Sequence, residues 1–256
     1  MHRFRMISSC MLAIFAWPLI CWAQPQQPTG TAPLPRNASS EISAHELRIP
    51  SKARKSFNKG TTLLAEKKSE ASIAEFQRAI QAFPDFYEAY YKIGVAELNL
   101  QHFGEAQAVF EKSIEVSHGR YPPADFGLGV ALSLQQQFAD AESAMRRGLD
   151  LDPGEAEGYF TLAWVLLKAE RVVDAEKSAR QAVLLRTDFA DAYLLLAQIH
   201  LRQGNTSELV SDLDAYIKID PNGPHNAEAI GVRNQAQQLL AKQRSAVPVV
   251  AGTPEH

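Results

Sequence analysis

The sequence predicts an all-α solenoid, in which five helical hairpins stack in a row and one further helix closes the array. A pattern repeats about every 34 residues between 53 and 223, and apolar residues recur at helical spacing within each period. A proline ends three of the five periods, at Pro84, Pro153 and Pro221. Because one hairpin cannot bury its own apolar face, such hairpins must stack on one another.

Columns of equivalent residues define the period. A column of small residues comprises Gly60, Gly94, Gly129, Ala163 and Ala197, at intervals of 34, 35, 34 and 34 residues. Sixteen residues further on, a second column comprises Phe76, Phe110, Met145, Ala179 and Leu213. The small residues predict a close crossing of the two helices in each hairpin. We assign the single interval of 35 to one extra residue, Tyr121.

These columns resemble those of tetratricopeptide repeats, over five units at 53–86, 87–121, 122–155, 156–189 and 190–223. The resemblance implies a right-handed α-α superhelical solenoid whose first helices line a concave groove. It also implies binding of protein segments in that groove. The stretch "HELRIPSKARKSFNKG" is similar to the entry of repeat arrays in some exported bacterial proteins.

The two ends of the chain differ in composition from the repeats. Residues 1–23 carry a basic head, an apolar run and a small residue at Ala23, which predicts a signal peptide and an exported, periplasmic or extracellular protein. A retained membrane anchor is the alternative. Residues 24–50 form a Pro/Gln-rich segment that predicts a disordered linker, 224–244 predict a capping helix, and 245–256 predict a disordered tail.

Charge and cysteine content exclude several functions. The formal net charge of −3 disfavours nucleic acid as a partner, and no apolar run after the leader is long enough to span a bilayer. Both cysteines, Cys10 and Cys21, lie in the leader. The mature chain therefore has no disulfide, thiolate nucleophile or cysteine metal site.

No catalytic, cofactor or metal set emerges from the sequence, so we expect a protein that is not an enzyme. Asp125-Phe126-Gly127 spells the magnesium-binding tripeptide of protein kinases, but the partner motifs are absent. Pro122 and Pro123 place it in the first turn of a helix, where Asp125 opposes the helix dipole. Ser56 and Lys59 spell a nucleophile motif that also lacks its partners. Gly127 predicts a local hollow beside Phe126 that a ligand side chain could fill.

The predicted groove is apolar and lined by aromatic rings. We assign to this groove the residue three positions before each member of the column of small residues, the residue just after that member, and a few neighbours. The predicted protein-binding residues are Phe57, Tyr91, Lys92, Val95, Phe126, Gly127, Val130, Phe160, Trp164, Leu167, Leu194 and Gln198. Packing of adjacent helices is the alternative role for the Phe and Tyr positions. Only Lys92 could hold a terminal carboxylate.

These observations predict a non-catalytic exported scaffold that binds a protein or peptide segment of unknown identity. The alternative is a structural component of a cell-envelope complex that acts through its convex face or by self-association. A hydrolase is a third class, and it would need a carboxylate pair facing the groove. Glu88, Glu157 and Asp191 edge the groove but lie in different units.

Overall fold

The computed structural model describes residues 45–245, and every regular element in that range is a helix. The all-α prediction is confirmed. After a short helical turn at 45–48, the helices are α1 (Ser51–Ala65), α2 (Ser69–Ala82), α3 (Tyr87–Asn99), α4 (Phe103–Val116), α5 (Pro122–Leu134), α6 (Phe138–Leu151), α7 (Ala156–Lys168), α8 (Val172–Leu185), α9 (Ala190–Gln203), α10 (Thr206–Ile219) and α11 (Asn226–Ser245).

The helices pack in consecutive pairs, as predicted. The chain divides into two compact units between Pro153 and Gly154. In the first unit the pairs are α1/α2, α3/α4 and α5/α6, and successive pairs are joined by the packing of α2 on α3 and of α4 on α5. In the second unit the pairs are α7/α8 and α9/α10, with α8 against α9 and α11 against α10. The predicted signal peptide, the linker up to residue 44 and the tail from 246 lie outside the described residues.

The two columns of the repeat interlock inside each hairpin of the first unit. The Phe76 ring fills the space that a Cβ on Gly60 would need, with the nearest ring carbon 2.8 Å from that position. Phe110 lies in the same way against Gly94, at 2.6 Å, and Met145 lies against Gly129, at 2.6 Å. In these three hairpins the small residue is therefore needed because it receives a large side chain from the second helix.

Every hairpin reverses through the same turn. One residue in each turn has left-handed backbone: Lys67, Gln101, Gln136, Glu170 and Gly204, with φ between 60° and 75°. The amide that follows donates to a carbonyl five residues back, at 2.9 Å in all five turns. This bond satisfies a carbonyl at the end of the first helix, which would otherwise lack a partner.

Acidic residues begin the second helices, as predicted. Glu105, Asp140 and Asp174 lie in the first turns of α4, α6 and α8. Their charges oppose the positive end of each helix dipole. Pro122 and Pro123 open α5, where no hydrogen bond is lost by their missing N–H groups.

The extra residue of the second unit, 87–121, is not Tyr121. Tyr121 is the N-cap of α5, the position that Phe86 takes before α3 and Phe189 takes before α9. The added length lies in the turn at 117–120, where His118 and Gly119 both have positive φ, 53° and 67°. Two consecutive left-handed residues accommodate the added residue within this turn.

Candidate functional site

The residues predicted to line a groove fall into two groups by exposure. Val95, Phe126, Val130, Leu167 and Leu194 are buried. The partly exposed members are Phe57, Tyr91, Lys92, Gly127, Phe160, Trp164 and Gln198. In each unit, therefore, only part of the predicted apolar lining is accessible to a partner.

Phe126 and Gly127 have packing roles that the sequence interpretation missed. Phe126 is 8% exposed, and its ring lies against Gly148 of α6, 2.5 Å from the position of a Cβ there. The hollow predicted at Gly127 does not exist, because the Phe110 ring from α4 occupies it. Phe110 thus packs against two glycines, Gly94 of its own hairpin and Gly127 of the next one.

The half-buried rings pair with an aromatic residue at the start of the next hairpin. Phe57 stacks on Phe86 with ring centroids 4.7 Å apart, and Tyr91 meets Tyr121 edge-on at 5.6 Å. Phe160 packs on Phe189 at 5.1 Å. Sequence reasoning missed these partners, although Phe86 and Tyr121 recur 29 and 30 residues after the rings that they contact. These pairs join successive hairpins.

An aromatic–lysine pair lies on a first helix in each unit. In the first unit, the Lys92 ammonium lies 5.6 Å from the ring centroid of Tyr91. Burial lowers the pKa of Lys92, so its charge is only partly solvated. In the second unit, the Lys168 ammonium lies 5.3 Å from the Trp164 ring. Partly exposed aromatic rings beside cations are groups that dominate protein interfaces.

The first-turn carboxylates of the first helices already hold basic groups. Glu88 of α3 lies 3.1 Å from the His45 imidazole, and Glu157 of α7 accepts a hydrogen bond from Arg186. Burial raises the pKa of Asp191, the equivalent residue of α9. Glu88 and Glu157 therefore act in separate ion pairs, one in each unit, and not as a catalytic pair.

His45 enters an aromatic cage from outside the hairpins. Its ring stacks on Tyr87 with centroids 4.3 Å apart and planes 23° apart, and Phe83 lies 5.7 Å away. Its Nε2–H is in range to donate to Glu88 Oε2. We call Phe83, Tyr87 and Glu88 the His45 cage. Burial first, and then the Glu88 charge, raise the pKa of Tyr87 to about 12.

Asp125 is buried, at 2% exposed, and its Oδ1 accepts a hydrogen bond from Arg147 Nε of α6 at 3.0 Å. Burial raises the pKa of its carboxyl group, and Arg147 opposes that rise. The residue lies in the first helical turn, as predicted, but it also joins the two helices of its hairpin. Lys59, the lysine of the nucleophile-like motif, is likewise paired, because its ammonium donates to Glu75 at 2.7 Å.

A buried histidine network in the second unit went unnoticed in the sequence. His200 of α9 is 1% exposed, and its Nδ1 lies 2.6 Å from Asp212 Oδ2 of α10. Its Nε2 lies 3.4 Å from Glu176 Oε1 of α8. The repeat contained a signal, since His200 stands where three other hairpins have Leu63, Leu132 and Leu166. No group of histidine and carboxylate side chains within residues 45–245 has the arrangement of a metal site.

The helices in the described part of the chain do not combine the length and apolar character that a membrane crossing requires. A surface pocket of about 370 Å³ lies between α4, α5 and α6 in the first unit, and Gln107, Asp140 and Arg147 are among its lining residues. Most of its lining residues lie on or next to α4 and α6, the second helices of their hairpins, and none is a predicted groove residue.

Comparison with known proteins supports the fold. The pilF protein of Pseudomonas aeruginosa superposes with a TM-score of 0.66 at 14% identity, over 76% of this chain and 87% of that one. YrrB, a protein with an unusual peptide-binding site, superposes with a TM-score of 0.53 at 18% identity, over 79% and 98%. The protein trd-1 of Caenorhabditis elegans is 24% identical over 58% of this chain, which spans only 18% of its length.

The Tetratricopeptide repeat family matches residues 57–115, 94–156 and 160–224. Together these segments make up more than half of the 256 residues. Proteins of this family are generally scaffolds that bind other proteins. This chain belongs to the tetratricopeptide repeat family.

Proposed function

We propose that the protein is an exported scaffold that binds an extended segment of another protein along its first helices. The observation that carries the proposal is the aromatic–lysine pair in each unit, Tyr91 with Lys92 and Trp164 with Lys168. These side chains stay partly exposed while the neighbouring aliphatic positions are buried. The YrrB structure supports the proposal, since it is a protein of similar fold with a peptide-binding site.

The chemistry of the two pairs indicates the kind of segment that fits. Each ring offers an apolar face to an aliphatic or aromatic side chain, and each ammonium offers a charge to a carboxylate. The reduced pKa of Lys92 reflects lost hydration, so a partner carboxylate would form a strong ion pair there. We therefore expect the part of the segment that contacts these two pairs to carry apolar and acidic side chains.

Photo-crosslinking in the native host tests this proposal. A benzoylphenylalanine at position 92 or 198 should capture a common partner, because both positions are partly exposed on first helices. The same group at Gln77 of α2 or Lys177 of α8, which are exposed on second helices, provides the matched control. Equal capture of the same partner from all four positions would contradict binding along the first helices.

Trp164→Ala provides the energetic test in the crosslinking strain. Loss of a central interface aromatic weakens binding by about 2 kcal/mol or more, so capture at position 198 should fall at least about tenfold. Val173→Ala on α8 is the control and should leave capture unchanged. Undiminished capture by the folded Trp164→Ala protein would exclude Trp164 from the binding surface.

Export is the second part of the proposal. It is supported by the leader-like composition of residues 1–23 and by the position of both cysteines within them. The intact mass of the protein isolated from the envelope fraction of its host should correspond to a chain that begins at Gln24. A full-length mass in the envelope would favour the retained anchor, and recovery from the cytoplasm would contradict export.

The alternative function is assembly of the protein into a complex through the exposed face of α8, the second helix of its hairpin. One observation favours it. Val173 and Leu184 of α8 are 63% and 72% exposed, large fractions for aliphatic residues. If they form a self-association surface, the protein will sediment as an oligomer and Val173→Lys/Leu184→Lys will make it a monomer. A wild-type chain that stays monomeric at high concentration excludes self-association.

A further inference from the structure

We propose that the His45 cage is a binding subsite for a cationic side chain of the partner segment, and that His45 fills it in the free protein. This inference rests on the proposed function for its biological role. The cage itself can be tested without a partner, because its ligand chemistry can be supplied by a small molecule.

The cage has the composition of a cation site. Tyr87 and Phe83 present ring faces and edges, and Glu88 supplies a carboxylate at the same place. A cation over an aromatic ring gains from the ring quadrupole, and a carboxylate adds a charge-assisted hydrogen bond. The Tyr121 ring lies 5.0 Å from that of Tyr87 and extends the aromatic wall towards Tyr91.

Only the His45 ring of the 45–48 turn enters the cage, and Arg54 of α1 holds the backbone of that turn by donating to Glu46 O at 2.7 Å. The His45 side chain is 10% exposed, whereas the next three residues, Glu46, Leu47 and Arg48, are exposed. His45 also lies outside the paired helices that bury the core, so its removal leaves the packing of helix on helix in place. Because only the His45 imidazole enters the cage and lies outside the folded core, it can leave the cage without unfolding the repeat.

The second unit shows a guanidinium at the equivalent carboxylate. Glu88 and Glu157 are equivalent, because each lies six residues before the small residue of its hairpin, Gly94 or Ala163. Glu157 accepts a hydrogen bond from Arg186, whose guanidinium carbon lies 3.6 Å from the centroid of the Phe189 ring. The carboxylate at this position of the repeat therefore contacts an imidazole in one unit and a guanidinium in the other. Both groups are basic and planar, so we infer that the position binds a basic, planar side chain.

The experiment uses N-acetyl-arginine N-methylamide as the probe and the ring resonances of Tyr87 as the readout. In the His45→Ala chain the probe should shift these resonances and saturate. In the wild-type chain its apparent affinity should be at least about fivefold weaker, because the tethered imidazole competes for the cage. His45→Arg is the matched control, which should block the probe as the wild type does.

Two further arms test the chemistry of the cage. The neutral citrulline analogue of the probe should bind His45→Ala at least about threefold more weakly, and adding Glu88→Gln should weaken arginine binding to a similar degree. No saturable shift in His45→Ala, equal binding of citrulline, or equal affinity in the wild-type chain would each overturn the cage as a cation site. Circular dichroism of each variant verifies that the helices are intact.

The partner arm separates this inference from the proposed function. In the crosslinking strain, His45→Ala should raise capture from position 92 by about threefold or more, and His45→Arg should not. If the probe binds but capture does not respond to His45, the role of the cage in partner binding is wrong while the scaffold proposal stands. If the probe fails and position 92 still captures the partner, only the cage is excluded.

Discussion

The ring of Phe110 in α4 lies where a Cβ on Gly127 in α5 would have to be. The contact joins two successive hairpins, because the same ring carbons, Cδ1, Cε1 and Cζ, also fill the space beside Gly94. Two glycines on consecutive first helices therefore hold one large side chain between them.

We predict that Gly127→Ala destabilises the protein. Alanine is normally the better helix residue by about 1 kcal/mol, but here its methyl group would overlap a ring held by three helices. The net loss should be about 1–2 kcal/mol in the free energy of unfolding, measured by urea denaturation. Gly104→Ala on α4, where a Cβ meets nothing within 4 Å, is the control and should be neutral or stabilising.

A double mutant tests the cause of that loss. Phe110→Leu removes the outer part of the ring, so it should make Gly127→Ala less costly than in the wild-type background. Additive effects of the two substitutions would mean that the ring is not the reason.

The hairpin turns predict opposite effects of glycine and alanine. Gln101 has φ of 63°, so Gln101→Gly should stabilise the protein by about 0.5 kcal/mol through release of left-handed strain. Gly204 has φ of 75° and nothing within 4 Å of its Cβ position, so Gly204→Ala should cost about 1 kcal/mol by backbone conformation alone. Thermal unfolding measures both, and effects of the same sign would contradict this account.

The His200–Asp212 pair should behave as a buried pair whose halves depend on each other. His200→Leu introduces the residue found in three other hairpins but leaves the Asp212 carboxyl without its donor. We expect a loss of about 2 kcal/mol or more. His200→Leu/Asp212→Ala restores an apolar contact like that of the third hairpin, which has Leu132 and Ala144 at these positions, and should recover most of the loss. Failure of the double variant to recover stability would assign the cost to the other contacts of the imidazole, including the one with Glu176.

Glu176 should make stability depend on pH in the acid range. Hydrogen bonds from Gln203 first, and then from Arg180 and His200, lower its pKa from 4.5 to about 2. Because the folded pKa lies below the unfolded one, this stabilisation is complete above pH 4.5 and is lost as pH falls towards 2. We expect a contribution of about 1 kcal/mol, the scale of a charge-assisted hydrogen bond that keeps some solvent contact.

The measurement compares the wild type with Glu176→Gln by urea unfolding between pH 7 and 3. The difference in unfolding free energy should be largest at neutral pH and shrink towards pH 3. Burial raises the pKa of Asp212 in the same network, and its effect on stability has the opposite slope. Because Asp212 is present in both proteins, its effect should largely cancel in the comparison. A difference that is constant over this range would show that the Glu176 charge does not stabilise the fold.

The helices could be predicted from the sequence because the same spacing of small and apolar residues recurs in every unit. The small residue at Gly94 recurs in every hairpin and the ring at Phe110 recurs as Phe76, so the pairing of the two columns follows from the period. The binding surface follows from differences between hairpins, which the period does not contain. Phe126 is buried because Gly148 stands where other hairpins have Ala79, Ser113 or Ala182, so the ring can move against the second helix.

His45 and His200 show the second limit of sequence reasoning. His45 lies outside the repeat, so no column predicts its contact with Glu88, 43 residues further along the chain. His200 differs from the leucines at the equivalent position of three other hairpins, and a search for shared residues does not reveal this exception. In both cases the partner is a carboxylate on another helix, and helix periodicity describes faces of one helix rather than pairs across helices.

The turn at 117–120 shows how this architecture tolerates changes in length. His118 and Gly119 take up an added residue through two left-handed conformations, and Tyr121 still contacts Tyr91, edge-on where Phe86 stacks on Phe57. We therefore expect that an insertion in such a junction can be absorbed within one turn, with no compensating change in the core. Junctions between hairpins are therefore the positions at which related chains can gain or lose residues, and at which a reporter sequence could be grafted with the least disturbance.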